Sequence, residues 1–497
     1  MSTHLLAEKS NLSISYLQSM IQAVLLAGLV SLIVTPWLLG ANYLSANLPR
    51  TVIHDRIAKA FSSGALGDAV HLRTNTKQGA HQYNDCLILA MAFDDRPAAK
   101  LRALSPVTPA ELPGNNPCVY LQTISAGGEP TPLGPGTFYH RYLHGQVALT
   151  ALALQWMDLS TLRVLNDALA FGMLLVLIST NLIFLVSALD RISIRPSQPS
   201  EFERAYRHGS LLVLACTMML FYGVQFYGMS LGHAPSDAVD YLYLFAATFV
   251  SFTTVRPWLA LTIHAVFGVL TAYFELFTGG LPLGVSLIFF CYASLAVGTR
   301  RNEVLWLALL SSVAFLTAFV VAVVTKLVVA GTFFGYHEVF GNFLSQLHFW
   351  TDGERVGVVD TAIALAESSH YLGAGWRLLG VLLLALSASA FAFSLFTSWK
   401  RFQPGDNWQY AALLTLSFAS IVLWYLVFRK HAYQHNFFMI RISVMLIASS
   451  FLLLLFTARD RLAGLLRSAA VLARSLPEVD TAAEVKPPNG NSQLRST

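Results

Sequence analysis

Apolar runs about twenty residues long, separated by short polar joints, leave few folds open to this chain. Hydrocarbon offers backbone N–H and C=O groups no partner, so runs of this length are expected to become helices that satisfy their own hydrogen bonds. They can be read at 20–39, 164–189, 211–229, 241–255, 258–276, 282–298, 304–330, 378–398, 411–428 and 437–457. The predicted fold class is an all-α polytopic membrane protein of about ten transmembrane helices, with a long first external loop and a juxtamembrane helix. Composition agrees, since 55% of the 497 residues are hydrophobic and only 12% are charged. A net charge of +5 spread through loops and tail reads as topology-setting charge, which excludes nucleic acid as an expected partner and leaves the lipid bilayer.

Basic residues orient the chain. Arg191, Arg195, Arg204, Arg207, Arg256, Arg300, Arg301, Lys400 and Arg401 fall in one set of loops, and Arg355, Arg377, Arg429 and Lys430 in the other. The richer set marks the cytoplasm, so both termini are expected there. The expected organisation is a cytoplasmic segment 1–19, a retained first span 20–39, an external loop 40–144 and a juxtamembrane helix 145–158. The remaining spans cover 159–457, with a second external loop at 331–375, and a polar tail at 458–497 is expected to be disordered. Prolines from Pro97 onward give the first loop the reading of an irregular lid with short elements and no separate domain. Cys86 and Cys118 lie in that loop, and an oxidising outer compartment would pair them. The bland alternative is two free thiols. Cys216 and Cys291 read as packing residues in apolar runs.

In this topology Asp85, Arg141, His144, Glu275, Lys326, His431, His435 and Arg441 all fall in the outer half of the protein. Ionisable groups beside a bilayer mark a working site by default, and one cavity opening outward would explain them together. Arg and Lys suit the phosphate of a lipid carrier, and a carboxylate suits a general base. Asp55, Asp68, Asp94 and Asp95 are rivals to Asp85. His431 and His435, four apart, could ligate a metal on a helix, but Arg429, Lys430 and Arg441 would repel a cation. Hydrogen bonding to phosphate or sugar is the favoured role, no cofactor is assigned, and a divalent metal stays possible.

Several segments, in order, carry a resemblance: Tyr83-Asn84-Asp85-Cys86, Tyr139-His140-Arg141-Tyr142-Leu143-His144-Gly145, Leu162-Arg163-Val164-Leu165-Asn166, Tyr273-Phe274-Glu275-Leu276-Phe277 and His431-Ala432-Tyr433-Gln434-His435-Asn436. Together they resemble segments of bacterial multispanning glycosyltransferases of the GT-C superfamily. The resemblance implies an inner-membrane enzyme facing the periplasm that uses a polyprenyl-phosphate-linked sugar donor and an extracytoplasmic protein or glycan acceptor. It implies Asp85 as catalytic base and points to Arg141, His144, Glu275, Lys326, His431, His435 and Arg441 for substrate. On that reading Asp85→Asn abolishes transfer and leaves membrane insertion intact. A transporter or flippase of a lipid-linked or anionic solute is the competing class, and a polymerase or ligase of lipid-linked glycans is a variant within the enzyme class.

Overall fold

The computed structural model describes residues 2–67, 82–108, 116–126, 137–194, 199–274, 279–296, 303–351, 356–368, 392 and 408–457. The run at 378–398, Glu275 and the tail 458–497 lie outside the described residues, apart from Ala392. The chain is a multi-pass, all-α membrane protein, with one pair of two-residue strands among the described residues, β1 (Val107–Thr108) and β2 (Thr137–Phe138), as the exception. Among the described residues six helices are long and apolar enough to cross a membrane. They are α1 (Ser2–Ala46, apolar from Tyr16), α7 (Leu159–Ile194), α11 (Pro257–Phe274), α13 (Glu303–Phe334), α16 (Trp408–Val427) and the final α19 (Ile440–Thr457, whose first turn is 3-10).

The expected count of about ten is therefore not reached among the described residues. Three of the other expected spans are helices of different character. α8 (Pro199–Phe221) starts with Glu201, Glu203, Arg204 and Arg207, and α10 (Ala234–Phe249) carries Asp237 and Asp240. α12 (Gly280–Ala296) is apolar but only 17 residues long. The runs read at 211–229 and 241–255 are offset from these helices because hydropathy rejects carboxylates, whereas those of α10 are partnered here. Asp237 is ion-paired with Arg441, and Asp240 accepts a hydrogen bond from Tyr222 at 3.1 Å.

Small residues set the helix packing. Ala23, Ala27, Ser31 and Thr35 recur every fourth position of α1, are all fully buried, and face α13, where Ser31 donates to the Ala318 carbonyl at 2.9 Å. Leu25, Leu29, Leu32 and Ile33 on the other faces remain exposed, as a lipid-facing surface requires. α11 approaches α13 just as closely, because Gly268 lies against the Phe315 backbone and any side chain there would collide with it.

The described residues of the first loop hold short elements, as expected, and apart from the strand pair these are helical. The loop folds into helices α2 (Arg50–Ser62), α3 (Gln82–Phe93), α4 (Ala99–Leu104) and α5 (Pro117–Ser125). Ile53, Ile57, Leu89, Leu121, Leu154 and Leu162 give it an apolar core that runs into the start of α7. Cys86 and Cys118 are disulfide-bonded across this core, Cα to Cα 5.0 Å. The second loop is helical too, with α14 (Tyr336–Thr351) and α15 (Val358–Glu367). The juxtamembrane helix is present as α6 (Gly145–Ala153), shorter than 145–158, burying Ala148 and Ala151 while exposing Leu149 and Leu152.

Candidate functional site

Hydrogen bonds fix which helix ends meet the polar loops. Asn42 near the end of α1 donates to the Leu143 carbonyl at 2.5 Å and the Ala103 carbonyl at 3.2 Å, and accepts from Tyr273 of α11 at 2.7 Å. Lys326, buried near the end of α13, donates to the His140 carbonyl. Tyr425 of α16 donates to Met439 of the short helix α18 (Asn436–Met439) at 2.8 Å, just before α19 begins. These ends enclose a cavity of about 310 Å³. Its wall combines Tyr83, Tyr139, Tyr142, Tyr273, Trp350 and Phe438 with four imidazoles, those of His144, His233, His431 and His435.

His144 is the most constrained of them. Its backbone is left-handed, φ 65°, and it is the one residue other than glycine with positive φ among the described residues. Such a conformation costs a β-carbon-bearing residue about 1–2 kcal/mol, and it persists where the surroundings enforce it. Two contacts do so. The ring Nε2 lies 2.8 Å from the Tyr139 carbonyl, and the adjacent Gly145 has no room for a side chain, since a Cβ would stand 2.6 Å from the Tyr273 ring. A carbonyl can only accept, so Nε2 carries the proton and Nδ1 is left with the lone pair. Burial, aided by the Lys326 ammonium, holds the His144 pKa well below the ordinary imidazole value. His144 is thus neutral at neutral pH.

His431 belongs to the short helix α17 (Arg429–Gln434), and His435 is the residue that follows it. Their rings are 4.8 Å apart, and the Trp350 ring packs on both at 4.5 and 5.0 Å. Burial pushes the His435 pKa down to about 4. Among the described residues no three His, Cys, Asp or Glu side chains are grouped as a metal site, so a divalent ion would find at most this aromatic-flanked pair.

The charged residues are arranged otherwise than the sequence suggested. Asp85 does not line the cavity, although Tyr83, Asn84, Leu87 and Ile88 around it on α3 do. Its carboxylate is 1% exposed and faces Arg163 of α7 at 2.6 Å. Oδ2 accepts both Nε and Nη2 of Arg163, while Oδ1 accepts the Leu231 amide at 2.8 Å and the Ser230 hydroxyl at 3.1 Å. All four acceptor positions are filled, so in this arrangement the carboxylate has none left for a substrate proton. Arg163 also donates to the Ala65 carbonyl at 2.6 Å, so this pair clamps α2, α3 and the 230–231 turn onto α7. Arg441 likewise sits below the cavity, fully buried against Asp237, with its guanidinium 5.4 Å from the Tyr222 ring centre.

Arg141 stands beside the cavity. Its Nε donates to Asn342 of α14 at 3.3 Å, and its guanidinium lies 5.1 Å from the centre of the Tyr139 ring, which lines the wall. His140, next to it, is bonded to Ser105 at 2.8 Å and lies 3.5 Å from Glu338 of α14. The structure thus brings His144, His431 and His435 into one cavity with Arg141 beside it. Lys326 supports the wall through His140. Sequence reasoning quoted Arg163 without giving it a role and missed His233 and the two α10 carboxylates, whose signal was an imidazole and two Asp within Gly232-His233-Ala234-Pro235-Ser236-Asp237-Ala238-Val239-Asp240. No protein family, curated protein or solved structure matches this chain.

Proposed function

We propose that this protein is a membrane glycosyltransferase that moves a sugar from a polyprenyl-phosphate carrier to a hydroxyl acceptor at the loop-side face of the membrane, on the reading the periplasmic side of a bacterial inner membrane. The observation that carries this reading is the cavity with the left-handed His144 in its wall. Strained backbone is kept where a side chain has work to do. A cavity of tyrosine, tryptophan and imidazole groups suits a sugar, whose C–H faces stack on rings and whose hydroxyls take hydrogen bonds. α6, bearing Gln146 and Val147 on the cavity wall, exposes Leu149 and Leu152 on its outer side, a surface fit for a polyprenyl chain. Arg141 keeps its Nη groups for the carrier phosphate, because only Nε is used by Asn342.

In this scheme the acceptor oxygen attacks the anomeric carbon, the bond from that carbon to the phosphate oxygen breaks, and the electron pair leaves with the phosphate. Nδ1 of His144 takes the acceptor proton, the part first given to Asp85. Trp350 and the His431 and His435 pair hold the sugar. The purified protein incubated with a panel of polyprenyl-phosphate sugars is expected to consume the carrier-linked sugar and transfer it to an acceptor. His144→Asn, a residue that tolerates a left-handed backbone, is expected to fold normally and to lose about 100-fold or more in rate. Movement of the intact lipid-linked sugar across vesicles without bond cleavage would replace this reading with a flippase, and unchanged transfer by His144→Asn would remove His144 from the chemistry.

A further inference from the structure

The opposite end of the bundle carries a second cavity, of about 250 Å³, between the last turns of α7, the first turns of α8 and the last turn of α10. Arg163 and Arg191 bracket α7, and at 1.5 Å per residue they are separated by roughly 42 Å, the thickness of a bilayer with its headgroups. Arg191 therefore lies in the headgroup layer away from the first cavity. Three guanidiniums, those of Arg191, Arg204 and Arg207, line this second cavity together with a single carboxylate, Glu201.

The groups are only partly satisfied by one another. Arg207 donates to the Ala247 and Thr248 carbonyls that end α10, at 2.6 and 2.9 Å, which holds it in the wall. Arg191 and Arg204 are more than half exposed and both lean on one oxygen of Glu201, at 3.6 and 3.3 Å. The other oxygen, Glu201 Oε2, is buried without a hydrogen-bond partner among the described residues, on a residue only 6% exposed. A buried carboxylate oxygen left without a donor is costly, so the site lacks a donor as well as an anion. Beside it α7 exposes Ile183, Val186 and Leu189, and α10 exposes Phe249. That is an apolar path for acyl chains.

We propose that this cavity binds the headgroup of an anionic glycerophospholipid that carries a hydroxyl donor beyond its phosphate, such as phosphatidylglycerol. The phosphate lies between Arg191 and Arg204, and the headgroup hydroxyl donates to Glu201 Oε2. The excess of two positive charges in the cavity favours an anionic lipid over a zwitterionic one.

The delipidated full-length protein, reloaded with phosphatidylglycerol, phosphatidylcholine or phosphatidylmethanol, can be read by native mass spectrometry. Phosphatidylglycerol is expected to be retained over phosphatidylcholine, and Arg191→Ala with Arg204→Ala is expected to lower that retention roughly 30-fold. Because the double alanine variant leaves the buried Glu201 carboxylate without these two cations, Arg191→Lys with Arg204→Lys is the control that keeps them, and it should restore part of the binding. Phosphatidylglycerol should exceed phosphatidylmethanol, which lacks the hydroxyl, and Glu201→Gln should narrow the gap. Equal retention of the anionic and zwitterionic lipids, or a preference that survives the double alanine variant, overturns the site. Displacement of the lipid by millimolar inorganic phosphate overturns the lipid assignment, and equal retention of phosphatidylglycerol and phosphatidylmethanol overturns the role of Glu201.

Discussion

The two cavities handle charge in opposite ways. At the loop-side end the deepest ionic groups are locked in pairs outside the cavity, Asp85 with Arg163 and Asp237 with Arg441, and the wall is left to aromatic and imidazole rings. At the far end the guanidiniums of Arg191 and Arg204 stay half in solvent and share one carboxylate. The difference follows from depth. An ion held at 1% exposure must be matched and hydrogen-bonded, so it becomes structural, whereas an ion at a headgroup layer keeps water and can exchange it for a ligand. Burial alone is thus a poor guide to chemistry in this bundle, and the residues fit to meet a substrate are those whose charge has been suppressed.

The sharpest way to break this contrast is to unpair one deep ion. Asp85→Ala leaves Arg163 buried and the Leu231 amide without its acceptor, and is expected to cost about 3–5 kcal/mol in a thermal or denaturant unfolding measurement. Replacing both partners by leucine should recover much of that loss. Asp85→Asn is then expected to lose transfer together with folded protein. If it unfolds at the normal temperature and still loses transfer, Asp85 regains the part of base. Next in size is the clamp of the cap. Changing Cys86 and Cys118 to serine opens a loop with a sequence separation of 32, for a loss of about 3.5 kcal/mol, visible as earlier unfolding and faster proteolysis of the loop.

Acid should act on the neutral rings more gently. His144 and His435 have lowered pKa values in the folded protein, so the unfolded chain binds protons first as pH falls through 6.5. Their stabilising contribution is complete above about 6.5 and is lost as pH descends to about 4, the value for His435, and His435→Gln should flatten that slope. The smallest effect belongs to the far cavity. Arg191→Ala alone, which leaves Arg204 on the shared Glu201 oxygen, is expected to change stability by no more than about 0.5 kcal/mol, because a half-exposed guanidinium contributes little. A larger loss would mean that this end is built on its charges as the other end is.

Much of the architecture could be read from residue order. The runs that became α1, α7, α11, α13, α16 and α19 are apolar enough on average to span despite Lys326 and Arg441, and hydropathy needs no partner to be recognised. The cysteine pair could be read from compartment and loop. α8 and α10 could not be placed correctly, since Glu201, Arg207, Asp237 and Asp240 make them look polar until their partners are known. Of the residues singled out for the site, His144, His431 and His435 line the cavity and Arg141 adjoins it. Asp85, Lys326 and Arg441 are turned to other duties.

What residue order settled by itself was the solvent: long apolar runs oblige a chain to become helices in lipid, because nothing else in hydrocarbon can satisfy a backbone. Which of the imidazoles and cations would be usable was decided only when the helices packed. A side chain's pairing depends on neighbours such as Arg163, 78 positions from Asp85, and on a backbone turn that holds His144 left-handed. Those are properties of distance in space, and a linear sequence does not contain them.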